Sequence, residues 1–241
     1  MKIAIATKKR WDEQKTLKIF CRSFGKEDLF LFIEPEEKQK YERYEKIANV
    51  ISIEDSNRGI GYARKFILNY FKPKEVIWML DDDIDGFYLK CLEKFGVVKN
   101  LKWLGVELEK EMKGRNLAVM GTRIQMMFLS EGENKGMITQ SYLIDKEKIE
   151  RINYDEKMFY NEDKLFLIDL LRAGKKIGLS DVFYHRMLKT DEREGGCQEF
   201  TEQKKQESLQ KLYEKYPQFC EWFLNRKGEK HLKFKWKKIE K

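Results

Sequence analysis

The chain has 241 residues, 41% hydrophobic and 37% charged, long enough to bury a substantial core beneath a heavily charged surface. Its longest apolar runs, such as Val76 to Leu80, are far too short to span a bilayer, and no charged-then-apolar export segment opens it, because strand-like Lys2 to Ala6 is followed at once by Lys8, Lys9 and Arg10. A net charge of +8 favours polyanions such as nucleic acid or anionic membrane, while four scattered cysteines (Cys21, Cys91, Cys197, Cys220) argue against a zinc cluster or disulfide framework and fit a reducing cytoplasm.

Residues 2–7 read as a buried first strand and Asp12 to Phe24 as a helix. Leu29 to Ile33 is a second strand ending at Glu34-Pro35, Lys38 to Ala48 has helical composition, and Val50 to Ile53 is a third strand. Gly59 to Tyr70 carries apolar positions at helical spacing until Pro73 breaks it, and Val76 to Leu80 is a fourth strand running into an acidic cluster. Strands alternating with helices predict an α/β fold with a mostly parallel central sheet flanked by helices. Ligands of such sheets bind beyond the carboxyl ends of the strands, where Thr7, Glu34 and Asp81 all fall. Lys90 to Arg115 reads as charged helix, and Leu117 to Thr122 and Gln140 to Ile144 as two further strands. Asn161 to Ala173 is a strong helix closed by Gly174, and Ser180 to Tyr184 leads into His185. After Gly195-Gly196, residues 201–225 read as a charged, aromatic-rich helical tail.

Four clusters carry chemistry. In Trp78-Met79-Leu80-Asp81-Asp82-Asp83-Ile84-Asp85 a buried strand delivers three adjacent carboxylates, whose repulsion calls for a cation or polar donors. Magnesium or manganese usually takes one or two carboxylates plus substrate phosphates, so a position after a strand favours a metal–diphosphate site over a solvated turn. Asn57-Arg58-Gly59-Ile60-Gly61-Tyr62-Ala63-Arg64 opens a helix with two glycines. That pattern suits an anion site with Arg58 and Arg64 as donors, or a plain cap, and it lacks the P-loop spacing. At Asn161-Glu162-Asp163 the two acids either oppose a helix dipole or supply a general base for an acceptor hydroxyl. His185, one of only two histidines, is either structural or a ligand.

The order of these clusters resembles the GT-A glycosyltransferases, especially the large family two, over about residues 2–190. Tyr142-Leu143-Ile144-Asp145, Tyr154-Asp155-Glu156, Asn161-Glu162-Asp163 and Leu170-Leu171-Arg172-Ala173-Gly174 resemble that family's acceptor-side block. The resemblance implies that Thr7, Arg10 and Glu34 line a nucleoside pocket and that Arg58, Gly59 and Arg64 approach the donor diphosphate. It implies that Asp81 and Asp82 hold the ribose or help coordinate, and that Asp83 and His185 bind Mn²⁺ or Mg²⁺, the ligand staying open between Asp81 and Asp83. Asp163 would be the base, and the sugar would be transferred with inversion. Ile5-Ala6-Thr7-Lys8-Lys9-Arg10 and Trp78 to Ile84 look like the TET-associated glycosyltransferases of phages. That likeness implies a UDP-sugar donor such as UDP-glucose, a 5-hydroxymethylpyrimidine acceptor in DNA, and work in a host cytoplasm.

Residues 1–190 are accordingly expected to form the GT-A domain and 191–241 a helical and basic extension packed on it. Lys227 to Lys241 holds seven lysines against two glutamates, with Phe234 and Trp236 interleaved. It reads either as a solvated tail with a short edge strand or as a phosphate-contacting arm, in which Lys233, Lys235, Trp236 and Lys237 would join Arg123 on DNA. The alternatives are a transferase acting on a polysaccharide or protein, and a catalytically silent nucleic-acid-binding module on the same fold.

Overall fold

The computed structural model describes residues 1–92, 94–125, 138–187, 201–225 and 228–239. The first half runs β1 (Lys2–Ala6), α1 (Lys15–Phe20), β2 (Leu29–Ile33), α2 (Lys38–Tyr41), β3 (Asn49–Ser52), α3 (Ile60–Tyr70), β4 (Val76–Asp81), β5 (Ile84–Cys91), β6 (Lys94–Val97) and α4 (Leu101–Gly114). The second half runs β7 (Val119–Ile124), β8 (Ser141–Asp145), α5 (Lys146–Ile149), α6 (Glu162–Arg172), β9 (Ile177–Met187), α7 (Glu202–Lys215), β10 (Cys220–Leu224), β11 (Lys230–Phe234) and α8 (Trp236–Ile239).

Nine described strands form one sheet in the order β3-β2-β1-β4-β8-β7-β9-β5-β6. The first four are parallel, with Ala6 opposite both Phe32 and Asp81, so Thr7, Glu34 and Asp81 emerge along one edge. The expected parallel order ends there. β8 is antiparallel to β4 and β7, β9 is parallel to β7, and β5 is antiparallel to β9 and β6, making the sheet mixed. Only Asp82 and Asp83 separate β4 from β5, far too little chain for the crossover that parallel neighbours need. β5 does not pair with β4 and lies instead against β9.

Side chains alternate across a strand, and apolar runs such as Ile3-Ala4-Ile5 and Ile77-Trp78-Met79-Leu80 bury both faces. Ile3, Ile5, Leu31, Trp78 and Leu143 pack with Leu17 and Phe20 of α1 and Leu104 and Leu108 of α4. Ala4, Phe32, Ile77, Met79 and Tyr142 pack on the other face with Ile67 of α3 and Phe166 and Leu170 of α6. Trp78 meets Phe20 and Phe87 edge-on at 5.0 and 5.4 Å, and its indole N–H donates to Ser141 Oγ at 3.1 Å, so its polar atom is satisfied in the core.

Two helical expectations are corrected. Within 90–115 the helix begins only at Leu101, where the Asn100 side chain accepts from Trp103 N, and β5 and β6 form a hairpin before it. Phe87-Tyr88-Leu89 is β-favouring sequence on a half-buried surface. Within 201–225 the helix stops at Lys215, before Pro217, and β10 returns through β11 as a second, two-stranded sheet. β11 matches the short strand of one of the two readings of Lys227 to Lys241.

Behind α6 a third apolar cluster joins Met158, Leu165 and Ile168 to Leu209 and Leu212 of α7, Phe219, Leu232 and Ile239. The expected boundary at 190/191 and Gly195-Gly196-Cys197-Gln198 lie outside the described residues. Among the described residues, no helix is long and apolar enough to cross a membrane. Leu212, fully buried in this third cluster, makes the packing testable. Leu212→Ala should cost about 2–5 kcal/mol in chemical denaturation, shifting one cooperative transition. A separate early transition would show the extension melting on its own.

Candidate active site

Each of the three adjacent aspartates meets a different fate at the end of β4. Asp82 is buried and accepts from Thr7 Oγ1 at 2.5 Å and from the Arg10 guanidinium. Gln14 Nε2 donates to Thr7 Oγ1 at 2.9 Å, and Tyr41 Oη lies 3.2 Å from the same hydroxyl. Burial pushes the Asp82 carboxyl up to about 7, although Arg10 and Thr7 pull it down. Asp83 is also buried; its Oδ2 lies 3.3 Å from Arg10, and its Oδ1 has no hydrogen-bond partner. Burial, then the charge of Asp81, raises its pKa. Thr16 fastens this acidic turn to α1, its hydroxyl donating to Asp81 O at 2.6 Å and its N–H to Asp82 O at 3.3 Å.

Asp81, the most exposed of the three, is held by Arg64 Nη2 at 2.8 Å, while Arg64 Nη1 lies 2.5 Å from Glu162 Oε1 at the start of α6. The Arg64 side chain is 4% exposed and sits over Tyr142 and Tyr154, whose hydroxyls are 2.6 Å apart. Burial pushes Glu162 up to about 7, opposed by Arg64. Arg64 itself stays protonated, because Tyr142, Glu162 and Asp81 outweigh the cost of its burial. Its two terminal nitrogens are engaged by protein carboxylates, which clamps the end of β4 to the start of α6.

The glycines before Arg64 serve the same junction. Gly61 N donates to Met158 O at 3.2 Å, and a Cβ there would sit 2.5 Å from Asp155 O and 2.6 Å from Met158 O. Gly59 has φ +88°, and a Cβ on it would meet the Phe159 ring at 2.6 Å. They let α3 touch the segment that leads into α6. Arg58 is surface-exposed, 2.9 Å from Asp55 and stacked 4.9 Å from the Tyr62 ring. Glu34 accepts from Asn57 N at 2.9 Å and pairs with Lys8 at 3.1 Å.

Asp163 follows Glu162 on α6 and accepts from its neighbour's backbone, Lys164 N, at 2.8 Å. Burial would raise its pKa, but Lys164, Arg64 and the Thr139 hydroxyl lower it on balance, which keeps it an anionic carboxylate. His185 is fully buried, with Nδ1 2.8 Å from Thr122 Oγ1 and Nε2 3.2 Å from Gln140 Oε1. Burial pushes its pKa down to about 3, so the ring is neutral, the form that ligates metals. Gln140 O also accepts from Asp81 N at 2.8 Å, so this one residue joins the histidine to the acidic strand end.

The profile of the TET-associated glycosyltransferases matches residues 1–196. The chain belongs to the TET-associated glycosyltransferase family. Solved structures share the fold. Residues 1–349 of S. aureus TarS in complex with UDP superpose with a TM-score of 0.55 at 14% identity, covering 78% of this chain and 61% of that one. A further S. aureus TarS structure gives 0.54 at 16% identity over 80% of this chain and 37% of that one. The chain thus spans less than two thirds of either. No curated protein matches the sequence.

For a TET-associated glycosyltransferase the question is what the acidic turn can hold. Among the described residues no group of three or more His, Cys, Asp or Glu side chains forms a ready-made metal cluster, so Asp81, Asp83 and His185 are not gathered into one. The Oδ1 of Asp83, beside Asp81, is nevertheless a buried acceptor without a hydrogen-bond donor, its other oxygen facing Arg10. That donor set fits a hard cation whose remaining ligands come from substrate and water.

The expected DNA contacts are dispersed. Arg123 donates to Ser180 O at 2.9 Å and to Asp181 at 3.2 Å, and Lys235 pairs with Glu221 at 3.1 Å. Trp236 packs between the second and third apolar clusters rather than standing free, Lys233 is exposed on β11, and Lys237 lies in α8. Gln14, Tyr41, Thr122 and Gln140 were not singled out from the sequence, since no short motif marks them.

The clamp gives a direct test. Arg64→Leu strands two buried or half-buried carboxylates and should cost about 3–5 kcal/mol, or roughly 6–20 °C in melting temperature. Arg64→Lys, which keeps the charge but loses the fork, should fall between it and the wild type. An Arg64→Leu protein melting with the wild type would remove the clamp from the account.

Proposed function

We propose that this glycosyltransferase moves a sugar from a UDP-sugar, with Mn²⁺ or Mg²⁺, onto the hydroxyl of a 5-hydroxymethylpyrimidine in DNA, with inversion at the anomeric carbon. The observation that carries the donor half is the buried, unpartnered oxygen of Asp83 beside Asp81 at the end of a parallel strand, where nucleotide ligands of open sheets bind. TarS, which shares the fold, was solved with UDP, which supports a uridine nucleotide. Family membership and the net charge of +8 support DNA as acceptor.

Asp83 would hold the cation, which when bound would supply charge to neutralise the departing diphosphate; Asp81 and His185 would join it only by exchanging their present partners, Arg64 for the first and Thr122 or Gln140 for the second. Thr7 and Glu34 stand at the ends of β1 and β2 to line the nucleoside pocket, and Asp82 with Arg10 forms its wall. Asp163 takes the proton from the acceptor hydroxyl as that oxygen attacks the anomeric carbon, opposite the leaving diphosphate. Glucose is the sugar we favour.

UDP with Mn²⁺ should raise the melting temperature, and UDP-glucose should be slowly hydrolysed with Mn²⁺ but not after chelation. No thermal shift and no turnover with any UDP-sugar would sink the donor assignment. Asp163→Asn should lower transfer by about 10²–10⁴-fold while leaving the UDP–Mn²⁺ shift in place, and loss of that shift would mean that Asp163 serves the donor instead. A labelled donor should mark hydroxymethylated but not unmodified DNA. Labelling of a carbohydrate or protein in its place would transfer the acceptor to that class.

A further inference from the structure

On the face of the sheet covered by α1 and α4, an open groove of about 640 Å³ runs between the chain after α1 and the outer side of α4. Arg22, Lys99, Lys102 and Lys110 line it, all exposed, together with Trp103 and Val106 at 43% and 45% exposure. Glu107 is the groove's acid, and it is paired with Lys110 at 2.8 Å. No ion pair engages Arg22, Lys99 or Lys102 among the described residues, which leaves three cations around an indole. The Trp103 ring packs edge-on against Phe183 at 5.8 Å and keeps an exposed apolar surface toward the groove. Elsewhere on α4 the charges cancel in place, Lys113 on Glu109 and Arg115 on Glu111.

We propose that this groove binds the phosphate backbone of duplex DNA flanking the base to be modified. Uncompensated cations set around an exposed aromatic suit a polyanion that also carries apolar sugar edges, which a nucleic acid strand does. The position fits the same partner. α1 starts at the acidic turn, where Thr16 holds Asp81 O and Asp82 O, and six residues later the chain reaches Arg22. Six helical residues rise roughly 9 Å, comparable to two or three base-pair steps of about 3.4 Å. α1 runs back toward the start of β1, where β2 begins opposite Ile3, so the groove would hold the duplex to one side of the base presented at the donor site. Leu101 N donates to Ser23 Oγ at 3.1 Å, which fixes the two walls relative to each other.

This inference rests on the DNA-acceptor reading for its purpose, but binding can be measured apart from transfer. The experiment is fluorescence anisotropy with a labelled, unmodified 20-bp duplex between 50 and 200 mM salt. Three phosphate contacts contribute a slope of about −2.7 in log K against log [salt]. The triple variant Arg22→Gln, Lys99→Gln, Lys102→Gln should lose about that much slope and, at the lowest salt, most of the affinity. Trp103→Ala should weaken binding several-fold while leaving the slope unchanged. Removing the same charge at the exposed Lys46, Lys72 and Lys74 should change the slope by less than about one. Unchanged UDP–Mn²⁺ thermal shifts in all variants would show the donor site intact. Equal loss in both triple variants, or groove-dependent binding to phosphatidylserine vesicles with none to duplex, would overturn the proposal. If hydroxymethylated DNA is never labelled yet unmodified duplex binds through these residues, the groove stands and the acceptor assignment falls.

Discussion

The Arg64 clamp is the interaction on which the rest of the site depends. A guanidinium taken out of water is tolerable only when its donors are met by charge, and here two carboxylates meet it from separate parts of the chain. One belongs to the end of β4, the other to the first turn of α6. The clamp therefore fixes the donor-side acids relative to the helix that carries Asp163. Gly61 permits the close approach that makes this possible, and the hydrogen-bonded Tyr142–Tyr154 pair supplies an aromatic floor without competing for the charge.

Once Arg64 has taken Asp81, the three aspartates cease to be equivalent. Asp82 is consumed by Thr7 and Arg10, which makes it part of the wall. Asp83 shares Arg10 at longer range and keeps a buried oxygen without a partner. Three like charges on adjacent residues would repel one another, and the protein relieves two of them with its own cations. What remains, among the carboxylates of this turn, is one buried oxygen of Asp83 with no hydrogen-bond partner. An acidic loop in free solution would show no such division.

How much of this was legible in the sequence follows from the range of each interaction. The first four strands, α3 and α6 could be read because local periodicity reports which side chains face a core. Thr7, Glu34 and Asp81 could be placed on one edge because parallel strands end together. The Arg64–Glu162 pair spans 98 residues, and the Gln140 bridge joins a strand end to His185 across a further 45, so no window on the chain contains both partners. The sequence places Arg64 near the donor phosphates through its neighbouring glycines, but the ion pairs it makes with Asp81 and Glu162 have no local signature. The β5–β6 hairpin was hidden for a different reason: its exposed, lysine-rich end has the composition of a charged helix, and only the buried Phe87 and Tyr88, on opposite faces of the strand, betray it.

The basic surplus teaches the same lesson about partners. By count, lysines concentrate toward the C-terminal end, which made that segment the natural arm for DNA. In the fold, Lys235 is answered by Glu221, Lys230 lies 4.3 Å from the Trp222 ring centroid, and Trp236 fills a gap between two apolar clusters behind α6. Much of the segment's charge and aromatic character is thus spent on packing the extension. Along α4 the acids nearly balance the bases by number, yet their pairing leaves Lys102 and its neighbours across the groove uncompensated. A surface attracts a polyanion through the charge left after internal pairing, and that residue of charge is visible only once the chain is folded.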